Sequence, residues 1–181
     1  MRNSNAVVLD VDGVLADFEG AFCDKFGWQY RNMTKLEYRY PAKRYEIGTF
    51  SLSSRTYEYL DIVELGCQIA RFCENERFNI HVISSRPAYT ERITGTWLKQ
   101  NKIPFHFLST ENGSKTFRIE RAKPLFVVDD LLSVCEECAN IGIPSFLIDQ
   151  PWNQKEDLDG IIYRIKTFDD FLFVFNNYFD V

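Results

Sequence analysis

The sequence predicts a doubly wound parallel α/β sheet with a small, mainly helical segment inserted after its first strand. Short apolar runs rich in β-branched residues alternate with stretches of helical periodicity, the pattern left by strand–helix–strand crossovers. The polar clusters of the chain fall at the carboxyl ends of those runs, the edge at which such sheets bind their ligands. A length of 181 residues and a hydrophobic content of 45% suit one domain with an insertion.

The first strand is Val7-Val8-Leu9, and it delivers two carboxylates, Asp10 and Asp12, to its own carboxyl end. Residues i and i+2 of an extended chain lie on one side, so both acids can face one small volume, and Gly13 lets the chain turn away. Such a pair holds a hard cation or attacks phosphorus. Two like charges this close are costly unless a metal, a proton or a cationic side chain compensates them. The plainer alternative is a strand ending in an acidic turn. From Phe18 to Phe26, the residues Phe18, Ala21, Phe22 and Phe26 recur at helical spacing, and Gly27 closes the run. Residues 28–55 carry Trp28, Tyr30, Tyr38, Tyr40, Tyr45 and Phe50 with no clean periodicity, and read as an inserted subdomain. A second helical pattern, Tyr59, Ile62, Val63, Leu65, Ile69, Ala70 and Phe72, leads back to the sheet. Residues 1–17 and 76–181 then form the core, and 18–75 the inserted cap.

The second strand, Asn79 to Ile83, runs into Ser84-Ser85-Arg86-Pro87, which again places hydrogen-bonding groups at the end of an apolar run. A helix over 88–100 follows, then a third strand over 105–108. A polar loop carrying Glu111, Asn112, Gly113, Ser114 and Lys115 enters a short helix that ends near Arg121. Leu125 to Val128 is a fourth strand ending in Asp129-Asp130. A helix over 131–141 is closed by Gly142, strands span 145–148 and 161–165, and an amphipathic helix over 167–179 completes the chain.

Composition narrows the partners. With 21 basic and 26 acidic residues the net charge is −5, which offers no general basic face for a long nucleic acid. No apolar run approaches membrane-spanning length and the start lacks a signal-peptide hydrophobic region, so the expectation is a cytoplasmic protein with no membrane partner. Five cysteines at scattered spacing fit reduced thiols better than a disulfide framework. Cys135 and Cys138 form a CxxC within a helix, with no second CxxC to complete a zinc site, and read as core residues. His81 and His106 lie in apolar strand contexts and read as packing residues.

The stretch DVDGVLADFEG, the ISSRP turn, Lys115 and the VVDD strand end occur in the order and approximate spacing of the four motifs of the haloacid dehalogenase superfamily of phosphohydrolases. Within it, the first motif resembles that of the 5'(3')-deoxyribonucleotidases through DGVLADFE, and Ile148-Asp149-Gln150-Pro151-Trp152-Asn153 is similar to a late segment of such nucleotidases. The middle of the chain departs from those enzymes in length and wording.

The resemblance implies a Rossmann-like core and a phosphomonoesterase acting through an aspartyl-phosphate. Asp10 would be the nucleophile and Asp12 the acid that protonates the leaving oxygen and later deprotonates water. Mg2+ would be held by the Asp10 carboxylate, the Asp12 carbonyl and an acid of the Asp129-Asp130 pair, either of which suits the sequence. Ser84 or Ser85 would donate to the phosphate, with Ser84 favoured as the direct end of the strand. A phosphate dianion and the acids carry more charge than one divalent ion cancels, so Lys115 and Arg86 would supply the rest. Lys123 competes with Lys115, which is favoured because it starts the helix before the strand.

The implied substrate is a small phosphate ester, a nucleoside monophosphate in the finer reading, with Phe18 contacting the nucleoside and the insertion deciding substrate choice. The other insertion aromatics read as packing for the cap itself. Another small phosphate ester, a nucleic-acid terminal phosphate, and a non-catalytic binding module on the same fold stay open, as does a homodimer.

Overall fold

A computed structural model describes residues 5–27, 49–51, 53–111, 115–154, 158 and 160–179. The insertion aromatics Trp28, Tyr30, Tyr38, Tyr40 and Tyr45, and Asn112, Gly113 and Ser114 of the polar loop, lie outside these residues. The elements run β1 (Ala6–Leu9), α1 (Phe18–Phe26), a 3-10 turn (Ser54–Glu58), α2 (Glu64–Asn75) and β2 (Asn79–Ser84). They continue with a second 3-10 turn (Ala88–Thr90) opening α3 (Glu91–Gln100), then β3 (Phe107–Thr110), α4 (Thr116–Ala122) and β4 (Val127–Asp129). The chain closes with α5 (Leu132–Asn140), β5 (Ser145–Ile148), β6 (Ile162–Ile165) and α6 (Phe168–Phe179). Among the described residues no helix is long and apolar enough to cross a membrane.

All six strands are parallel, in the order β3-β2-β1-β4-β5-β6. The chain builds outward from β1 through β2 to β3, then returns to the other side of β1 with β4. The direction of winding therefore reverses between β1 and β4, and the crossovers on either side diverge to leave a crevice beyond their carboxyl ends. Asp10 and Asp129 stand at that crevice.

Both faces of the sheet are covered, which explains why its strands read as continuous apolar runs. Val7, Leu9, Ile80, Val82, Phe126 and Val128 pack one way, with Cys67, Ile69, Ala70 and Cys73 of α2 and Phe171 and Phe175 of α6. Val8, Ile83 and Val127 pack the other way, with Ile119 of α4 and Cys138 of α5. Phe72 meets Phe168, Phe171 and Phe175 edge-on, so much of the aromatic content joins α2 to α6. All five cysteines are free and buried.

The segments on either side of α1 and the first 3-10 turn meet, with Asp17 N–H donating to the Asp61 carbonyl at 2.8 Å and Val63 N–H to the Leu15 carbonyl at 2.9 Å. α1 is capped by Asp17, whose Oδ1 accepts from Gly20 N–H at 2.8 Å, and it ends on left-handed Gly27. α2, which belongs to the segment assigned above to the insertion, passes so close to the first turn that a Cβ on Gly66 would lie 1.9 Å from the Val14 carbonyl oxygen. Only glycine fits there.

Two strands shift from their expected bounds, and β4 spans Val127–Asp129 rather than 125–128. β3 spans Phe107–Thr110 rather than 105–108, because Nδ1 of His106 accepts the Ile80 N–H at 3.0 Å and its own N–H donates to the Ile80 carbonyl at 2.8 Å. The ladder then starts at Phe107 opposite His81 and carries Ser109 and Thr110 past Ile83 and Ser84. His106 is thus a backbone partner as well as a packing residue.

Candidate active site

The carboxyl end of β1 turns at once. Leu15 and Ala16 N–H groups both donate to the Val11 carbonyl at 2.8 Å, which folds residues 11–16 back on themselves. Gly13 sits at φ +73, and a Cβ there would lie 2.5 Å from Oδ2 of Asp130. The missing side chain lets the β4 turn approach the β1 turn.

Three carboxylates meet in that space. Asp10, Asp129 and Asp130 are buried, with one oxygen of each within 4.8 Å of the others. Lys115, just before α4 and 3% exposed, places Nζ 2.7 Å from Oδ2 of Asp10 and 2.7 Å from Oδ2 of Asp129. The structure therefore brings Lys115 to these acids. Among the described residues, Oδ1 of Asp10 is buried with no hydrogen-bond partner. Burial pushes Asp10 up to about 7 against the pull of Lys115, with Asp129 adding to the rise. Burial, then Asp129, raises Asp130 well above the usual carboxylate range. Burial alone would lower the Lys115 ammonium, but Asp10 and Asp129 outweigh it and hold it above its ordinary value.

Ionised together, three acids around one ammonium would leave an excess of buried negative charge, and among the described residues one oxygen of Asp10 is unpaired. A hard divalent cation with oxygen preference answers both conditions, so the residues present fit a divalent-cation site.

Asp12 does not join this cluster through its side chain. Arg86 Nε donates to its two oxygens at 2.9 and 3.2 Å, and Nη2 donates to Oδ1 at 2.5 Å. The guanidinium also donates through Nη1 to Thr94 Oγ1 at 3.0 Å and lies 4.4 Å over the Tyr57 ring. Arg86, expected at the phosphate, is thus committed to Asp12, a threonine and an aromatic face. The physical reason is the turn: past Val11 the chain is no longer extended, so Asp10 and Asp12 diverge to separate cations.

The serines separate as well. Ser84, buried at the end of β2, accepts the Arg86 backbone N–H on its Oγ at 3.2 Å, whereas Ser85 is exposed. Phe18 is 6% exposed, its ring 5.2 Å from Phe50 and stacked 6.0 Å from Tyr57. Tyr57 in turn donates from its hydroxyl to the Ser51 carbonyl at 2.7 Å. Phe18 therefore lies in a buried aromatic cluster continuous with the core.

Sequence reasoning gave no role to Tyr57, Thr94, Gln150, Trp152 or Asn153. Only the similarity of the 148–153 segment pointed to the last three, and nothing local marked Tyr57 or Thr94.

No family model matches the chain, and no curated protein matches it. Solved structures do. A haloacid dehalogenase-like hydrolase from Streptococcus pneumoniae is 11% identical at a TM-score of 0.61, covering 96% of this chain and 99% of its own. A haloacid dehalogenase-superfamily hydrolase from Ehrlichia chaffeensis is 13% identical at 0.57, covering 94% and 95%. A protein from Clostridium acetobutylicum assigned as a phosphatase by prediction is 14% identical at 0.63, covering 93% and 96%. At these identities the likeness concerns architecture, and the chain carries the Rossmann-like parallel fold of haloacid dehalogenase-superfamily hydrolases.

Proposed function

We propose that the protein is a magnesium-dependent phosphomonoesterase that works through an aspartyl-phosphate on Asp10. The observation that carries this reading is the Asp10 carboxylate itself, buried at the switch point with one oxygen paired to Lys115 and the other unpaired among the described residues. An Asp10 oxygen attacks the phosphorus, the bond to the leaving oxygen breaks, and that oxygen takes a proton from Asp12. Asp12 then accepts a proton from water as the water attacks the same phosphorus and releases Asp10. Asp10, the Asp12 carbonyl, Asp129 and Asp130 would hold Mg2+, which when bound adds positive charge beside the phosphate oxygens. Lys115 supports the charge on Asp10, and Ser84 at the end of β2, whose Oγ accepts an N–H and keeps its own O–H, or else Ser85 beside it, would donate to phosphate. A screen of phosphate release over nucleoside monophosphates and sugar phosphates tests the proposal. Release with Mg2+ and loss of release in EDTA are expected; equal release in EDTA, or none with any ester, rejects it.

Arg86 has a positioning role in this reading, because its fork fixes the plane of the Asp12 carboxylate. Lysine keeps the charge but loses the two-point hold and the flat face on Tyr57. Arg86→Lys should lower kcat about 10- to 100-fold with a smaller change in KM, in line with the effect of about 1 Å of misplacement. The loss should be greatest with poor leaving groups, and a uniform loss across leaving groups would remove Asp12 as the acid.

The finer reading is a nucleoside monophosphatase, deoxy forms preferred, with the 18–75 segment deciding substrate choice. It is supported by the position of Phe18, which follows the β1 turn directly and meets Phe50 and Tyr57, whose ring lies under Arg86. Stacking of a base on an aromatic face contributes about 1 to 3 kcal/mol. Phe18→Ala should lower kcat/KM for a deoxynucleoside monophosphate by about tenfold relative to a small sugar phosphate. An equal fall for both would assign Phe18 to packing alone.

A further inference from the structure

The stretch Gln150-Pro151-Trp152-Asn153 follows β5 and carries no reacting group, yet it touches both turns of the candidate site. Gln150 Nε2 donates to the Gly13 carbonyl at 2.9 Å, which ties down the β1 turn. Asn153 Nδ2 donates to the carbonyls of Asp130 and Ile148, each at 2.8 Å, which ties down the β4 turn. Asn153 is itself braced by Arg164 of β6, which donates from Nη2 to its carbonyl at 2.7 Å and from Nη1 to its Oδ1. Between these two ties, Trp152 donates from Nε1 to Oδ2 of Asp130 at 2.9 Å. The same indole is 6% exposed and packs against Phe22 and Cys23 of α1.

We infer that Trp152 is a positioning residue for the cation site: its indole N–H fixes the rotation of the Asp130 carboxylate, and its packing on α1 fixes the indole. The inference rests on the cation-binding part of the reading above. A carboxylate has one free rotation about its Cβ–Cγ bond, and the backbone ties to Asp130 do not restrain it. Gly13 on one side and the indole on the other do, because Oδ2 occupies the space that a Cβ at position 13 would take. A carboxylate stopped at one rotation keeps its oxygens in fixed places, one of them within 4.8 Å of an oxygen of Asp10 and of Asp129. Groups that orient a metal ligand in this way typically account for about 10- to 100-fold in metal affinity.

The test is titration of the full-length protein with Mg2+ alone, followed by calorimetry, in wild type, Trp152→Phe, Asp130→Asn and the double variant. Phenylalanine keeps a buried ring against Phe22 but has no N–H. Trp152→Phe should weaken Mg2+ binding about tenfold or more in the wild-type background, and by less than about twofold when Asp130 is already Asn, since coupled residues are not additive. Affinity unchanged in Trp152→Phe, where Asp130→Asn does weaken binding, overturns the inference and leaves the cation site standing. Equal losses in both backgrounds also overturn it, because Trp152 would then act through general packing. A wild type that binds no Mg2+ removes the cation site and the inference together. Should Trp152→Phe not fold, the wild-type protein labelled with nitrogen-15 at its three indoles decides the matter. One indole N–H resonance should shift along the calorimetric titration, and three stationary resonances at saturation would overturn the assignment.

Discussion

Asp10→Asn should yield a folded protein whose phosphate release is slower by about 10⁴-fold or more, the scale on which loss of a covalent nucleophile is felt. The substitution removes a negative charge and almost no volume. Asp10 is buried and pushed up to about 7, so its charged form is held only by what surrounds it, and a neutral amide asks less of the same site. Lys115 loses one partner but keeps Asp129 at 2.7 Å. The thermal midpoint in EDTA should therefore stay at or above that of wild type while turnover collapses. Two measurements on one preparation, unfolding by calorimetry and phosphate release with Mg2+ present, separate the chemical from the structural consequence. Activity within about tenfold of wild type in a folded Asp10→Asn protein would remove the covalent route. Activity retained by Asp129→Asn under the same conditions would leave Asp10 in place and question only the cation site.

The sheet was legible because each strand is buried on both faces and so shows as an apolar run with no alternation, whereas the helices keep their period. The parallel arrangement and the edge that carries the polar residues follow from that alternation. Asp10, Lys115, Asp129 and Asp130 were legible for a related reason: each stands within one residue of a strand end or a helix start, so local sequence already places it on the binding edge. What the sequence hid were contacts made across distance. Arg86 ends its strand as expected, but its orientation depends on Tyr57 and Thr94, which approach from the 3-10 turn before α2 and from α3. The divergence of Asp10 and Asp12 arises in a turn closed by bonds to the Val11 carbonyl, and an i, i+2 pattern read as extended chain does not register such a turn. The shift of β3 comes from a histidine ring nitrogen that substitutes for a backbone acceptor, a choice that neither apolarity nor spacing encodes.

Lys115→Met should produce the largest loss of stability of any substitution at the site, and the loss should depend on both Mg2+ and pH. The ammonium is buried and paired at 2.7 Å to two carboxylates, while Arg86, another cation among the described residues, is committed to Asp12. Methionine matches its length and apolar stem but leaves Asp10, Asp129 and Asp130 facing one another without compensation. Breaking a buried ion pair from one side typically costs about 3–5 kcal/mol, which for a chain of this size is a fall in thermal midpoint of roughly 6–20 °C. The sign of the pH dependence follows from the direction of the carboxyl shifts. Asp10 and Asp130 are already raised by burial, and removal of the ammonium that opposes the rise in both sends them higher. A carboxyl whose folded value exceeds its unfolded one stabilises the fold at pH below the unfolded value and loses that contribution as pH rises through the folded value. The gap between variant and wild type should therefore narrow from pH 7 to pH 5, because over that range the folded variant holds protons on Asp10 and Asp130 that its unfolded chain lacks, and holds them more fully than wild type does. Mg2+ should narrow it at pH 7 by the other route, supplying positive charge to the same oxygens and binding the folded state alone. A variant that melts with wild type in EDTA at pH 7 would show that Lys115 carries no buried charge pair. A variant that is destabilised but regains nothing from Mg2+ or from acid would place the loss in packing around the lysine stem and not in the three carboxylates.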